Sequence, residues 1–126
     1  MKIDRLDHLV LTVRDIDASI AFYVDVLGME AQTFGAGRRA LAFGRQKINL
    51  HPAAAPLKPH AAAPTRGSAD ICLIADTPLV AVIAELQAKG VAIEEGPVPR
   101  TGATGPITSV YFRDPDGNLI EVSNYG

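Results

Sequence analysis

Apolar and polar residues alternate along several short stretches of the chain, and two of these stretches lead into a helical pattern. In residues 7–13, Leu9, Leu11 and Val13 fall on one side of an extended chain and polar residues dominate the other. A period of two is typical of a half-buried strand. The pattern predicts further strands near residues 30–34, 39–43, 47–51, 70–75, 91–95, 107–112 and 118–123.

Each helical segment carries signals for where it begins and ends. Asp15 is a suitable N-cap for the first helix, and Gly28 follows its last turn. Thr77 is a candidate N-cap for the second helix, with Pro78 at its first position and Gly90 after its end. The predicted buried stripes are Ile16, Ile20, Tyr23, Val24 and Leu27 in the first helix, and Leu79, Val82, Ile83 and Leu86 in the second.

These elements form two copies of one unit. Residues 8–13 correspond to 70–75, and residues 48–51 correspond to 120–123. We predict an α+β fold of two tandem βαβββ modules that make a cupped, rolled sheet. Module one covers residues 1–51, an Ala- and Pro-rich linker covers 52–66, and module two covers 67–126, all within a single domain, residues 1–126. The pattern leaves open whether the modules pair within one chain or between two chains.

The alternation sends polar groups from four strands to the same side of the sheet. Imidazole and carboxylate together suit a divalent ion such as Mn²⁺, Fe²⁺, Co²⁺, Ni²⁺ or Zn²⁺. Each residue also has a simpler interpretation: a histidine satisfied in a partly buried position, a solvated glutamate, or an aspartate that begins a strand. The residues concerned are His8, Asp70, Asn49, His51, Glu121 and Ser123.

Composition narrows the class of protein. The 126 residues carry a net charge of −2, and 48% are hydrophobic, which is ordinary for one soluble globular core. The sequence has no basic tract, no apolar run of roughly 20 residues and no signal-peptide pattern. We therefore expect a cytoplasmic protein that binds neither nucleic acid nor membrane. The single cysteine, Cys72, excludes an internal disulfide, and its strand pattern predicts that it is buried.

Several motifs resemble those of the vicinal-oxygen-chelate superfamily, which includes glyoxalase I, fosfomycin-inactivating thiol transferases, extradiol dioxygenases and bleomycin-binding proteins. The longest motif is residues 111–121, YFRDPDGNLIE. Others are DHL at 7–9, AFY at 21–23 and LG at 27–28. Residues 67–70 and 100–103 are similar to the small glyoxalase-domain or virulence-type members. The resemblance covers nearly the whole chain. It implies a homodimer, as does the difficulty of closing both half-cups in so short a chain.

The resemblance also implies a ligand set for a divalent metal ion. His8 and Glu121 match the first-strand and last-strand ligands of the family. Asp70 stands where the second module usually has a histidine, and Asn49 stands where glyoxalase I has a glutamate. His51 could restore a second imidazole. We therefore expect His8, His51 and Glu121 as ligands, with Asp70 as a fourth ligand or as a partner that orients a histidine.

The expected function is that of a metal-dependent enzyme acting on a small oxygen-chelating substrate, of lyase, isomerase or transferase type but not ordinary glyoxalase I. We expect Glu121 and Tyr111 as catalytic residues. Arg100 and Thr101, in a loop over residues 100–105, and Asn49 are expected to bind substrate. The alternatives are a non-catalytic binding protein of the bleomycin-sequestering type and, less favoured, an extradiol-type dioxygenase.

Overall fold

The computed structural model describes all 126 residues and divides the chain into two compact units, Met1–Gly67 and Ser68–Gly126. Each unit contains a strand, a helix and three further strands, in a four-stranded sheet. The predicted α+β fold with two βαβββ modules is confirmed. The residues that we interpreted as a linker, 52–66, belong to the first unit.

The first unit (unit 1) has two central strands and two edge strands. β4 pairs in parallel with β1 and antiparallel with β3, and β2 completes the order β1-β4-β3-β2. Its elements are β1 (His8–Val13), α1 (Ile16–Asp25), β2 (Glu30–Phe34), β3 (Arg38–Phe43) and β4 (Gln46–Pro52).

The second unit (unit 2) repeats this topology. The order is β5-β8-β7-β6, with β5 and β8 parallel and the other pairs antiparallel. Its elements are β5 (Asp70–Ile74), α2 (Leu79–Ala88), β6 (Glu95–Gly102), β7 (Gly105–Arg113) and β8 (Leu119–Tyr125). Neither α1 nor α2 has the length and apolar character needed to cross a bilayer.

Each helix covers one face of its own sheet, as the alternation predicts. Tyr23 of α1 is fully buried, and so are Val13 and Ile48 of the sheet. In unit 2, Phe112 and Ile120 are fully buried. Burying a side chain of this size contributes about 1.5–3 kcal/mol, so these positions hold the layers together. The opposite face of each sheet carries polar residues, among them His51 in unit 1 and Glu121 in unit 2.

The first helix begins as predicted and the second does not. The Asp15 side chain accepts a hydrogen bond from the Ala18 N–H at 3.2 Å. At the start of α2, Thr77 makes no capping bond, so our prediction was wrong. The Leu79 N–H instead donates to the side-chain oxygen of Asn124 at 2.6 Å. The cap is therefore supplied by β8, which is distant in sequence.

The strand that precedes β7 also differs from the prediction. We predicted a strand at residues 91–95 and a loop at 100–105, whereas β6 covers Glu95–Gly102 and places Arg100 and Thr101 within a strand. We did not predict this strand because it contains Pro97 and Pro99, and proline has no backbone N–H to donate to a sheet. They are tolerated since β6 is an edge strand.

A tight turn joins β7 to β8. The Gly117 N–H donates to the Asp114 carbonyl at 3.0 Å, and Gly117 has φ of 85°. The buried side chain of Asn118 donates to Asp114 at 2.8 Å and accepts from the Ala69 N–H at 2.9 Å. These bonds connect the turn to the start of β5, so they fix the point from which β8 carries Glu121.

Candidate functional site

Unit 2 contains a cavity of about 370 Å³ on the sheet face opposite α2. In the sheet register, Cys72 of β5 and Tyr111 of β7 lie on either side of Glu121 of β8. Residues directly opposite one another in neighbouring strands point to the same side of a sheet. The chemistry-bearing residues of the lining are Cys72, Arg100, Thr101, Tyr111, Glu121 and Tyr125.

Two serine hydroxyl groups hold the carboxylate of Glu121. Ser109 Oγ donates to Glu121 Oε2 at 2.5 Å, and Ser123 Oγ lies 3.4 Å from the same oxygen. The two hydroxyl oxygens are 2.6 Å apart, and both serines are fully buried. A carboxylate only accepts hydrogen bonds, so its presence orients these hydroxyl protons. The two serine hydroxyl groups thus fix the position of Glu121 Oε2.

Tyr111 is a neutral hydrogen-bond donor at physiological pH. Its hydroxyl oxygen accepts a hydrogen bond from Arg100 Nε at 3.0 Å. Burial raises the pKa of Tyr111; the hydrogen bond from Arg100 opposes this, and the negative charge of Glu121 adds to the increase. The phenol therefore keeps its proton, which suits a group that donates to a substrate oxygen and not one that removes a proton.

Arg100 is fixed at the cavity wall by contacts to each of its nitrogens. Its guanidinium lies 5.4 Å from the centre of the Tyr111 ring. Nη1 donates to the Pro99 carbonyl at 3.0 Å, and Nη2 lies 3.5 Å from a carboxylate oxygen of Glu95. Arg100 is about 40% exposed, so its remaining N–H donors are accessible to an anionic group. Thr101, the next residue, also lines the cavity.

The β6–β7 hairpin closes one end of the cavity. The Tyr125 hydroxyl oxygen accepts a hydrogen bond from the Thr104 N–H at 3.2 Å. Gly102 makes this approach possible, because a Cβ there would lie only 2.6 Å from the Tyr125 hydroxyl oxygen. A larger residue at position 102 would require the Tyr125 side chain or the hairpin to shift.

Cys72 is exposed, so our prediction that it is buried was wrong. It lies on the cavity side of an edge strand and not beneath α2. Partial burial raises the pKa of Cys72, while a contact of 3.4 Å with Ser123 Oγ acts in the opposite direction. Cys72 is therefore a thiol in the cavity wall.

The residues expected as metal ligands are distributed over both units, and those within unit 1 are not neighbours. His8 pairs with Lys47 and His51 pairs with Thr12, which separates the two histidines by four residues along the strands, roughly 13 Å. Asn49 lies between them in β4 and is buried. In unit 2, Asp70 is exposed and lies two positions along β5 from Cys72, which is the residue opposite Glu121.

The local surroundings of these residues test whether they suit a divalent ion. His8 Nδ1 lies 2.7 Å from an oxygen of Asp7, which leaves Nε2 for a ligand. This carboxylate–histidine arrangement is typical of metal ligands, as is a hydrogen-bonded carboxylate such as Glu121. His51 fits less well, because the Arg38 guanidinium lies 3.3 Å from its Nε2. Neither unit alone holds three or more candidate ligands within binding distance of one ion.

Sequence reasoning did not select Ser109 or Arg38. Ser109 lies two residues before Tyr111 on the same face of β7, so alternation could have indicated it as a neighbour of Glu121. The contact of Arg38 with His51 depends on the pairing of β3 with β4, which the sequence does not state.

The comparisons with known proteins define the family. The family model of the Glyoxalase/Bleomycin resistance protein/Dioxygenase superfamily matches residues 5–122. The chain therefore belongs to this superfamily.

Named relatives support this assignment over nearly the whole chain. Virulence protein STM3117 of Salmonella typhimurium is 58% identical over 99% of this chain and 87% of its own length. The crystal structure of STM3117 covers 100% of both chains with a TM-score of 0.99. The glyoxalase domain-containing protein RDO1 of Mycosarcoma maydis is 49% identical over 99% of this chain and 70% of its own length.

A relative with a named activity is more distant. The lactoylglutathione lyase structure from Agrobacterium tumefaciens is 27% identical, with a TM-score of 0.75 over 98% of this chain and 95% of its own.

Proposed function

We propose that this protein is a metal-dependent enzyme that acts on a small, anionic, oxygen-chelating substrate. The reaction is of lyase, isomerase or transferase type. One observation carries the proposal: a carboxylate, a neutral phenol and a guanidinium, those of Glu121, Tyr111 and Arg100, line the same cavity of about 370 Å³. A set of convergent polar groups in a cavity of this size is typical of a small-molecule site.

In unit 2, we assign Glu121 and Asp70 as metal ligands on the basis of their donor chemistry, and His8 of unit 1 stays a ligand prediction from the family resemblance. Glu121 is held by hydroxyl groups, Asp70 is an exposed carboxylate on the same sheet face, and His8 is oriented by Asp7. A bound divalent ion, Mn²⁺, Fe²⁺, Co²⁺, Ni²⁺ or Zn²⁺, would supply Lewis acidity toward two neighbouring substrate oxygens. His51 is left out of this set because of its contact with Arg38.

The remaining cavity residues bind the substrate and donate to it. Arg100 and Thr101 hold an anionic group, with the guanidinium already oriented by its contacts. Tyr111 keeps its proton and donates a hydrogen bond to the oxygen on which negative charge develops. Asn49, in place of the glutamate that glyoxalase I uses, argues against ordinary glyoxalase I activity.

A non-catalytic binding protein is the second candidate. The cavity wall includes apolar side chains, among them Ile74 and Ile107, that would suit a hydrophobic ligand. The structure of TnmS3, described as an antibiotic binding protein, is 23% identical and shares the fold.

Deuterium exchange separates these two candidates. The protein is incubated with Mn²⁺, Co²⁺ or Zn²⁺ and a panel of 2-hydroxy ketones and 2-oxo acids in D₂O, and exchange at the carbon beside the carbonyl is followed by NMR. We expect exchange that requires both metal and protein, with the Glu121 carboxylate accepting the proton, and that is slower in Tyr111→Phe. Saturable binding of these compounds without any exchange or turnover would favour the binding protein. Oxygen consumption with catechols would instead support dioxygenase chemistry.

Ser109→Ala is expected to weaken metal binding about 10- to 100-fold, the loss typical when a group that orients a ligand is removed. The variant removes the 2.5 Å hydrogen bond that holds Glu121 Oε2. Isothermal titration with Mn²⁺ measures the affinity, and thermal unfolding shows how much stability is lost with the buried hydroxyl. An unchanged affinity in a folded variant would mean that Ser109 supports the fold only.

We also propose a homodimer. The edge strands β1 and β5 each expose an apolar side chain, with Val10 44% and Ile74 52% exposed in the single chain. Sedimentation velocity at micromolar concentration is expected to give the mass of two chains, and Val10→Glu is expected to weaken association. A monomer across the whole concentration range would contradict this.

A further inference from the structure

Unit 1 contains two cations on one aromatic ring. Arg38 Cζ lies 5.0 Å from the centre of the Phe34 ring, and Lys47 Nζ lies 3.8 Å from it. Both cationic residues are half-buried, and neither forms an ion pair with a carboxylate. Asp7 influences Lys47 by charge but forms its hydrogen bond with His8. Two like charges that share a ring and are partly removed from water are costly without an anion.

His51 adds an unsatisfied donor to these cations. A guanidinium can only donate, so Arg38 Nη2, at 3.3 Å, must donate to His51 Nε2. The ring is then neutral and carries its proton on Nδ1. Burial, followed by the positive charges of Arg38 and His60, lowers the pKa of His51 and keeps it in this form. The Nδ1 atom is buried and has no hydrogen-bond partner.

The side-chain oxygen of Asn49 also lacks a hydrogen-bond partner. Asn49 precedes His51 by two residues in β4, so the two side chains share a sheet face. Asn49 is 4% exposed and His51 is 3% exposed, and the Asn49 side-chain oxygen has no partner. Buried polar groups are normally hydrogen-bonded. The Nδ1–H donor of His51 beside the two cations indicates that an anionic ligand belongs here, whereas the Asn49 oxygen is an acceptor and needs a donor.

We propose that Arg38, Lys47 and His51, here called the Arg38 cluster, bind a small oxyanion, either a carboxylate or a phosphate group. The cluster occupies the face of the unit 1 sheet opposite α1. Arg39 follows Arg38 and Leu50 precedes His51, and these two residues pair with each other on the other face. An oxyanion would accept hydrogen bonds from the free guanidinium N–H groups and offset the charge of Lys47. The cluster shares no residue with the assigned metal ligands, although His8 is the strand neighbour of Lys47 on the same sheet face.

NMR of the metal-free protein tests this site. Long-range ¹H–¹⁵N spectra report the imidazole nitrogens, and we expect His51 to begin as the neutral form with its proton on Nδ1. Inorganic phosphate and, in a separate titration, acetate are then added at constant ionic strength. We expect saturable shifts at His51 with at least one of the two anions. The anion that binds more tightly identifies the ligand class.

Variants decide whether the shifts report the proposed site. Removing a charge-assisted hydrogen bond in Arg38→Met is expected to weaken anion binding about tenfold or more. Lys47→Met serves as a second test in case Arg38→Met does not fold. Arg5→Met is the matched control, since Arg5 is exposed and pairs with Asp4. Shifts that do not saturate, or an affinity unchanged in both cluster variants, would overturn the proposal.

Discussion

Glu121→Gln is expected to abolish measurable binding of Mn²⁺, a loss of at least about 100-fold in affinity, larger than that for removal of an orienting partner. The substitution removes the negative charge but keeps an oxygen that can accept from Ser109 and the shape of the side chain. The fold should therefore be preserved. Isothermal titration of metal-free protein measures the affinity, and circular dichroism confirms the structure.

A matched control for this variant is available on α2. Glu85 is an exposed carboxylate on α2, and the cavity lies on the sheet face opposite this helix. Glu85→Gln changes the net charge by the same amount as Glu121→Gln. We expect its Mn²⁺ affinity to match that of the unaltered protein. Should Glu121→Gln and Glu85→Gln bind Mn²⁺ equally well, Glu121 is not a ligand.

Phe112→Ala is expected to have the largest effect on stability, about 3–5 kcal/mol, the usual loss for a buried phenylalanine. Phe112 is fully buried on the α2 side of β7. The cavity left by the ring cannot be filled by neighbours that are already packed, such as Ile120 and Val110. Urea unfolding followed by circular dichroism measures the change in the free energy of unfolding.

Tyr111, the residue before Phe112, provides a control that is expected to keep the stability and to affect the reaction. Tyr111 lies on the other face of β7, where its hydroxyl contacts Arg100. Tyr111→Phe keeps the ring and is expected to change the free energy of unfolding by about 1 kcal/mol or less, since it removes one hydrogen bond at a part-exposed site. It should nevertheless slow any reaction in the cavity. A small loss in Phe112→Ala, or a large one in Tyr111→Phe, would contradict these orientations.

Local patterns were sufficient to predict most of the fold. Alternation in β1 placed Leu9, Leu11 and Val13 on one side of the strand, and the structure buries Leu11 and Val13. Tyr111 and Phe112 are adjacent in a strand and therefore face opposite sides, and the structure shows that Tyr111 faces the cavity. Such predictions succeed because they depend on residues close together in sequence.

Features that depend on pairing between distant segments were missed. The cap of α2 comes from Asn124 instead of Thr77 because β8 ends beside the helix. Similarly, the contact of Arg38 with His51 follows from the register of β3 with β4 and makes His51 a weaker candidate for a metal ligand. Neither interaction has a signal in the local sequence.

The central claim is that the cavity in unit 2 serves a divalent ion that a substrate chelates. Cobalt is the most direct probe, because bound Co²⁺ absorbs visible light and its spectrum reports its ligands. Metal-free protein is titrated with Co²⁺, and oxalate is then added as a bidentate oxygen ligand. We predict saturable Co²⁺ binding, a spectral change with oxalate, and loss of both in Glu121→Gln. A protein that binds no Co²⁺, or whose Co²⁺ spectrum is unaffected by either oxalate or Glu121→Gln, would contradict the account.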